Sequence, residues 1–344
     1  MSKVIFKKKI LINIILFLIT FLTCTMAGTQ WAFKDFTEVL NWHHGITYAV
    51  LILTFLSVHE FGHYFAARYH KVDATLPYYI PFPVPIVLNF GTLGAVIKIK
   101  DRIPNKKILF DIGVAGPIAG FIVCTAFLIY GLQTLPPKDF ILNIHPEYLY
   151  QGGQIPKHGL YFGDTIFFEL MVLLFKNPEG FLPPMNEIYH YPFLNVGWFG
   201  LFVTTLNMLP MGQLDGGHIT YSMFGRKHAR VARAVWWVLL TIGSLALLGA
   251  FHQMLGFEYE NSFMQILKQI FYPPLDFINT HVPVVFAGWP GWLFWALIAK
   301  FFIKLDHPPV TDETEIDQNR KAIGWAALII LLLSFSYNGV YFIE

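Results

Sequence analysis

The stretch S-V-H-E-F-G-H-Y-F at residues 57–65 decides how this chain is read. It lies inside an apolar run over 46–67 and carries His59, Glu60 and His63. On a helix the two histidines are four residues apart, so they project from one face and can grip one metal ion. Glu60 stands beside the first of them, where a general base for an attacking water belongs. A lone histidine on an apolar face is ordinarily a hydrogen-bonded core residue. Two at ligand spacing with a glutamate, in a segment long enough to span a bilayer, are a functional pattern, because ionisable groups are expensive there.

Composition places the whole chain in the same environment. Of 344 residues, 55% are hydrophobic, 17% aromatic and 13% charged, against about 25% charged in soluble domains. That balance indicates a polytopic membrane protein rather than a soluble enzyme with one anchor. A net charge of only +2 gives no case for nucleic-acid binding. Cys24 and Cys124 fall in separate apolar runs and make neither a disulfide framework nor a cysteine zinc site.

Apolar stretches of spanning length occur near 10–28, 46–67, 108–132, 192–211, 231–251, 284–303 and 322–343, the sixth interrupted by Pro290 and Gly291. The first follows Lys7, Lys8 and Lys9, but it is long for a signal peptide and no small-x-small cleavage site follows it. It reads as a retained helix. With a cytoplasmic N-terminus, 19 of the 24 Lys and Arg fall on inside segments, as the positive-inside rule requires. The 46–67 helix then exits near Arg68, with the metal roughly 12 Å below the cytoplasmic edge at 1.5 Å per residue. Water must reach that depth. The expected fold is an all-α polytopic membrane protein, a bundle of about seven transmembrane helices with a small re-entrant β element. Its organisation is 1–45 as an N-terminal helix and outside linker, 46–220 as a core with an extracytoplasmic insertion at 133–191, and 221–344 as C-terminal helices.

The β element is read from 76–100. Prolines at 77, 81, 83 and 85 forbid a continuous helix. Gly91 and Gly94 then lead into the alternation Val96, Lys98, Lys100, which has strand character. A hairpin or re-entrant loop is tolerated at membrane depth where it lines a cavity or packs on protein. Its edge at Gly91, Thr92, Leu93 and Gly94 is a surface on which an extended peptide can pair. In the third apolar stretch, Gly113, Gly116 and Gly120 read as close helix packing, and Asp111 as a cap or a partner of Lys107. No motif is evident in 133–191. Residues 252–283 form another outside segment with a helix-like piece around 263–271, and 304–321 a solvated connector.

An open catalytic zinc site uses three protein ligands, and the third is sought in N-M-L-P-M-G-Q-L-D-G-G-H at 207–218. Pro210 breaks the helix at the depth of the site, while Gly216 and Gly217 let the chain turn closely beside Asp215. Asp215 is the best candidate, with His218 as a rival ligand and helix capping as a rival role. Asn207, eight residues earlier in an apolar helix, either packs structurally or donates to a developing oxyanion.

Together, H-E-F-G-H at 59–63, N-x-x-P-x-x-x-x-D-G at 207–216, and the F-G-T-L-G-A and G-V-A-G-P-I-A-G segments between them resemble the site-2 protease family of intramembrane zinc metalloproteases. The resemblance covers about 46–220 and is closest to compact members without a PDZ domain. It implies a Zn2+ ion on His59, His63 and Asp215, with Glu60 activating water and Asn207 near the substrate carbonyl. It also implies hydrolysis of peptide bonds in or near membrane-spanning segments of protein substrates, in regulated intramembrane proteolysis. The expected surroundings are a lipid bilayer, of a bacterial inner or an organellar membrane, with no small-molecule cofactor. The sequence assigns no oligomeric state. The rival functions are a membrane metal-ion transporter, which has no need of Glu60, and an inactive scaffold, which predicts a missing motif residue.

Overall fold

The structure, a computed structural model, describes residues 2–83 and 90–343. Residues 84–89, including Pro85 of the expected hairpin, lie outside the described residues. The chain opens with α1 (Ser2–Trp31) and α2 (Ile46–Tyr69). The two meet where Gly28 faces Gly45 and Tyr48, an approach so close that a Cβ on Gly28 would come within 2.6 Å of the Gly45 carbonyl oxygen.

Strands β1 (Tyr78–Pro81) and β2 (Thr92–Val96) then form an antiparallel pair, in register Tyr78 with Val96, Tyr79 with Ala95 and Pro81 with Thr92. Gly91 and Gly94 take φ of 75° and 103°, a region that favours glycine. The pair lies along α1. Asn13 Nδ2 donates to the Pro77 carbonyl at 2.7 Å, and Thr23 Oγ1 to the Gly91 carbonyl at 2.6 Å. These anchor points are about 15 Å apart along the helix.

Helix α3 (Lys106–Gln133) starts at Asn105, whose side-chain oxygen accepts from the Ile108 N–H at 2.9 Å, an N-cap. Asp111 therefore does not cap it, nor does it pair with Lys107. It accepts from Arg320 Nε and Nη2, both at 2.7 Å, and lies 2.8 Å from His70 Nε2. Arginine prevails because its planar fork matches a carboxylate bidentately.

The 133–191 insertion is built from α4 (Asp139–Ile144), β3 (Gly159–Phe162) and α5 (Ile166–Phe175). Next come α6 (Pro192–Met208) and α7 (Asp215–Phe224). The chain continues through α8 (His228–Gly256), α9 (Ser262–His281), α10 (Gly291–Ile298) and α11 (Gln318–Ser334) to β4 (Val340–Ile343). β4 pairs antiparallel with β3 and ties the insertion to the end of the chain.

The molecule is mostly helical with two small sheets. Among the described residues, four helical stretches are long and apolar enough to cross a membrane: Ile10–Trp31, Val39–Tyr69, Lys106–Gln133 and Asp215–Gly256. Of the other expected spans, 192–211 carries the 17-residue α6. The 284–303 stretch is helical from Gly291, just past Pro290, and continues as a π turn over Ala299–Ile303. The 322–343 stretch leaves the helix after Ser334 and ends as a strand.

The 304–321 connector is more than a solvated link. Asp312 bridges Asn105 in parallel fashion, Ile316 is buried, and the Asp317 side chain accepts from the Arg320 N–H to cap α11. The site is positioned by α3, which packs on α2, α6 and α7 at once.

Candidate metal centre

Helix α2 presents His59, Glu60 and His63, all buried. Asp215 reaches them from the other half of the fold, because Pro210 cannot continue α6 and Gly212 turns the chain at φ 48°. Gly216 and Gly217 then let α7 begin directly against the preceding backbone. A Cβ on either would strike carbonyl oxygens of Met208, Leu209, Met211 or Gly212. Asp215 is the first residue of α7 and turns its carboxylate to the histidines.

The three side chains converge. His59 Nε2 and His63 Nε2 are 3.2 Å apart, and each lies 3.3 Å from one carboxylate oxygen of Asp215. A tetrahedral ion with bonds of about 2.0 Å has ligand-to-ligand edges of about 3.3 Å, so the donor spacing fits zinc. The donor set, two imidazoles and a carboxylate, fits as well.

Orientation of His63 is fixed from behind. Its Nδ1 stands 2.7 Å from the Ile112 carbonyl. A carbonyl only accepts, so Nδ1 carries the proton and Nε2 keeps its lone pair for the centre. His59 Nδ1 is buried without a hydrogen-bond partner.

The glycines of α3 prove to serve this centre. A Cβ on Gly116 would overlap three ring atoms of His63, and one on Gly120 would come 3.2 Å from His59 Nδ1. Gly113 makes the same allowance for His218, whose Cβ would be 2.7 Å from the added atom. Close packing was legible in the spacing; that the packed groups are the imidazoles was not.

A cavity of about 240 Å³ opens on the centre, lined by Glu60, Val96, Ile97, Asn207, Gln213 and His218 among others. Glu60 Oε2 accepts from the Ile97 N–H at 2.9 Å, which holds the carboxylate beside the histidines. Asn207 Nδ2 lies 3.4 Å from His59 Nε2, so the amide borders the centre. β2 runs past the same cavity. Ala95 and Val96 of β2 line it, whereas Gly91, Thr92, Leu93 and Gly94 are not among its lining residues. Thr92 is buried, its hydroxyl donating to the Ile80 carbonyl at 2.9 Å, and Leu93 is exposed.

His218 lines the cavity but stands outside the converging trio. Its Nδ1 is 2.8 Å from His307 Nε2, while His307 Nδ1 donates to the Pro308 carbonyl at 2.6 Å. Burial pushes the His307 imidazole down to about 4, so it is neutral at physiological pH and accepts the His218 proton. Nothing in the sequence marked His307 as the partner.

Fold and centre together define a class: a helical membrane protein with a buried, open centre of two histidines and a carboxylate, built on H-E-x-x-H. Residues 47–250 match Peptidase family M50, and the chain belongs to that family, the site-2 proteases. The resemblance drawn from its motifs is thereby borne out.

Among curated proteins, it is similar to the rice (Oryza sativa subsp. indica) protein named "Probable zinc metalloprotease EGY2, chloroplastic". The two are 28% identical over 250 residues, covering 71% of this chain and 42% of that one. A rice (subsp. japonica) protein named "Probable zinc metalloprotease EGY1, chloroplastic" is 33% identical over 185 residues, covering 53% and 28%. Its Arabidopsis thaliana namesake is 31% identical over 178 residues, covering 51% and 29%. The matched region thus spans less than half the length of these relatives. No solved structure matches the chain.

Proposed function

We propose that this chain is an intramembrane zinc endopeptidase that hydrolyses peptide bonds in or near the membrane-spanning segments of protein substrates. The observation that carries this reading is the convergence of His59, His63 and Asp215 at tetrahedral spacing, with Glu60 alongside in a cavity. Membership of a peptidase family and relatives named as zinc metalloproteases favour it over a metal-ion transporter or an inactive scaffold.

His59, His63 and Asp215 would hold the ion, which when bound supplies Lewis acidity, acidifying a water and polarising the scissile carbonyl. Glu60, held by the Ile97 N–H, takes a proton from the attacking water and delivers it to the departing amide nitrogen. Asn207 offers an amide N–H to the oxyanion developing on the substrate carbonyl. A helical substrate must first unwind, since its carbonyls are tied up in i to i−4 bonds. Gly91, Thr92, Leu93 and Gly94 then offer a strand on which the unwound backbone pairs.

The same reading assigns the membrane arrangement. It has about seven spans, a cytoplasmic N-terminus, and core boundaries at 46–220 with the insertion outside. The β1–β2 pair is a re-entrant element, supported by its course along α1 between Asn13 and Thr23. The membrane is bacterial inner or organellar.

Glu60→Gln tests the chemistry. In the purified chain, zinc stays bound while cleavage of a single-span substrate in liposomes falls by about 10²- to 10⁴-fold, the span of general acid–base contributions. Cleavage at the wild-type rate would overturn the proposal.

A further inference from the structure

The insertion contains a second convergence of ligand-type side chains, remote from the first. His145 follows α4, while Glu187 and His190 lie on the turn before α6. All three are buried, with exposures of 5%, 2% and 4%. His145 Nε2 and His190 Nε2 are 2.9 Å apart, and Glu187 Oε2 lies 3.8 Å from the first and 3.3 Å from the second. A point about 2.0 Å from all three atoms exists inside that triangle, which is the bond length zinc makes to imidazole nitrogen and carboxylate oxygen.

The surroundings aim these atoms inward. His190 Nδ1 is 2.8 Å from the Trp31 carbonyl, and His145 Nδ1 is 2.7 Å from Glu147 Oε1. Both outer partners are acceptors, so each Nδ1 carries the proton and each Nε2 turns a lone pair to the centre. Tyr148 donates its hydroxyl to Glu187 Oε1 at 2.7 Å, leaving Oε2 buried with no hydrogen-bond partner. Three electron pairs therefore face one another in a buried pocket, an arrangement that needs a positive charge between them. Imidazoles oriented by a carboxylate and a carbonyl are the outer-shell pattern of metal sites.

We propose that His145, Glu187 and His190 bind a second, structural divalent transition-metal ion, with zinc the best fit. Two imidazoles set aside the hard-oxygen preferences of calcium and magnesium. Trp31 closes α1 at the end where Gly28 meets Gly45 and Tyr48. His59 lies 11 residues beyond Tyr48, roughly 16 Å along α2, so the first centre is well removed from that end. The ion clasps the end of α1, the insertion and the approach to α6, and takes no part in peptide hydrolysis.

The test uses the full chain in detergent with the first centre disabled by His59→Ala and His63→Ala, and metal as the only probe. After dialysis, elemental analysis is expected to find one zinc per chain in this double variant and two in the wild type. Cobalt in place of zinc should give the visible absorption of a tetrahedral nitrogen and oxygen site. Adding Glu187→Gln and His190→Ala should weaken the remaining site by at least about 100-fold. If these further substitutions prevent folding, the double variant still decides. A double variant that binds neither zinc nor cobalt, with a melting midpoint unmoved by chelator, overturns the proposal and leaves a histidine pair bridged by a proton. Cleavage is not read at any stage, so failure here leaves the proteolytic reading untouched.

Discussion

Gly116→Ala sets two effects of opposite sign against each other. Replacing glycine by alanine inside a helix ordinarily stabilises it by about 0.8–1 kcal/mol. Here the new methyl group would sit far inside the roughly 3.5 Å of ordinary carbon contact, overlapping Nε2, Cδ2 and Cε1 of His63. The ring cannot swing clear without losing its bond to the Ile112 carbonyl. A displacement of about 1 Å is several times the ±0.2 Å that metal–ligand distances tolerate. The clash therefore outweighs the helix gain: overpacking costs about 1–3 kcal/mol, and His63 is withdrawn from the centre. Zinc affinity, measured by competition with a chelating dye on the purified chain, should fall by at least about 100-fold. Cleavage should fall with it. Gly120→Ala is the internal reference: its nearest contacts are 3.1 Å and 3.2 Å, so the loss should be no more than about tenfold. If Gly116→Ala held zinc within threefold of wild type, the packing of α3 on the imidazoles would not be what positions them.

Three further outcomes follow from the geometry. Asp215→Ala should lower zinc affinity by more than about 100-fold, read by elemental analysis after dialysis; unchanged zinc content would remove Asp215 from the ligand set. Leu93→Pro takes an N–H from the exposed strand, worth about 0.5–1.5 kcal/mol per hydrogen bond. It should raise KM by roughly threefold to tenfold while leaving zinc content intact, and an unchanged KM would mean that substrates do not pair on β2. Arg320→Met leaves Asp111 with His70 alone, a loss of about 1.5–3 kcal/mol for bonds to a charged group. The thermal midpoint in detergent should drop by a few degrees, and a midpoint at the wild-type value would show that this tie between α3 and α11 adds nothing.

Local chemistry was legible wherever a short stretch contains all its own terms. H-E-x-x-H needs only helical spacing to place two imidazoles on one face, and the prolines of 76–85 rule out a helix by themselves. Asp215 was within reach because Pro210, Gly216 and Gly217 mark a sharp turn. The partner of Asp111 was not, since Arg320 lies 209 residues away and Lys107 was the nearer guess. The cluster of His145, Glu187 and His190 escaped because its spacing follows no local period: His145 and His190 are 45 residues apart, brought together only when the insertion folds back on the end of α1.

By itself, the sequence determined that the chain lives in a membrane, that His59, Glu60 and His63 share one helix, and to which family its motifs belong. Periodicity and hydropathy act over a few residues, and those properties need nothing more. Only the tertiary structure decided what faces the ligand-type side chains: Gly116 and the Ile112 carbonyl against His63, Gly120 against His59, and the Ile97 N–H against Glu60. Backbone atoms carry no signature in the sequence, and whether a glycine makes room for a neighbouring helix or for a metal ligand depends on what the completed fold sets against it.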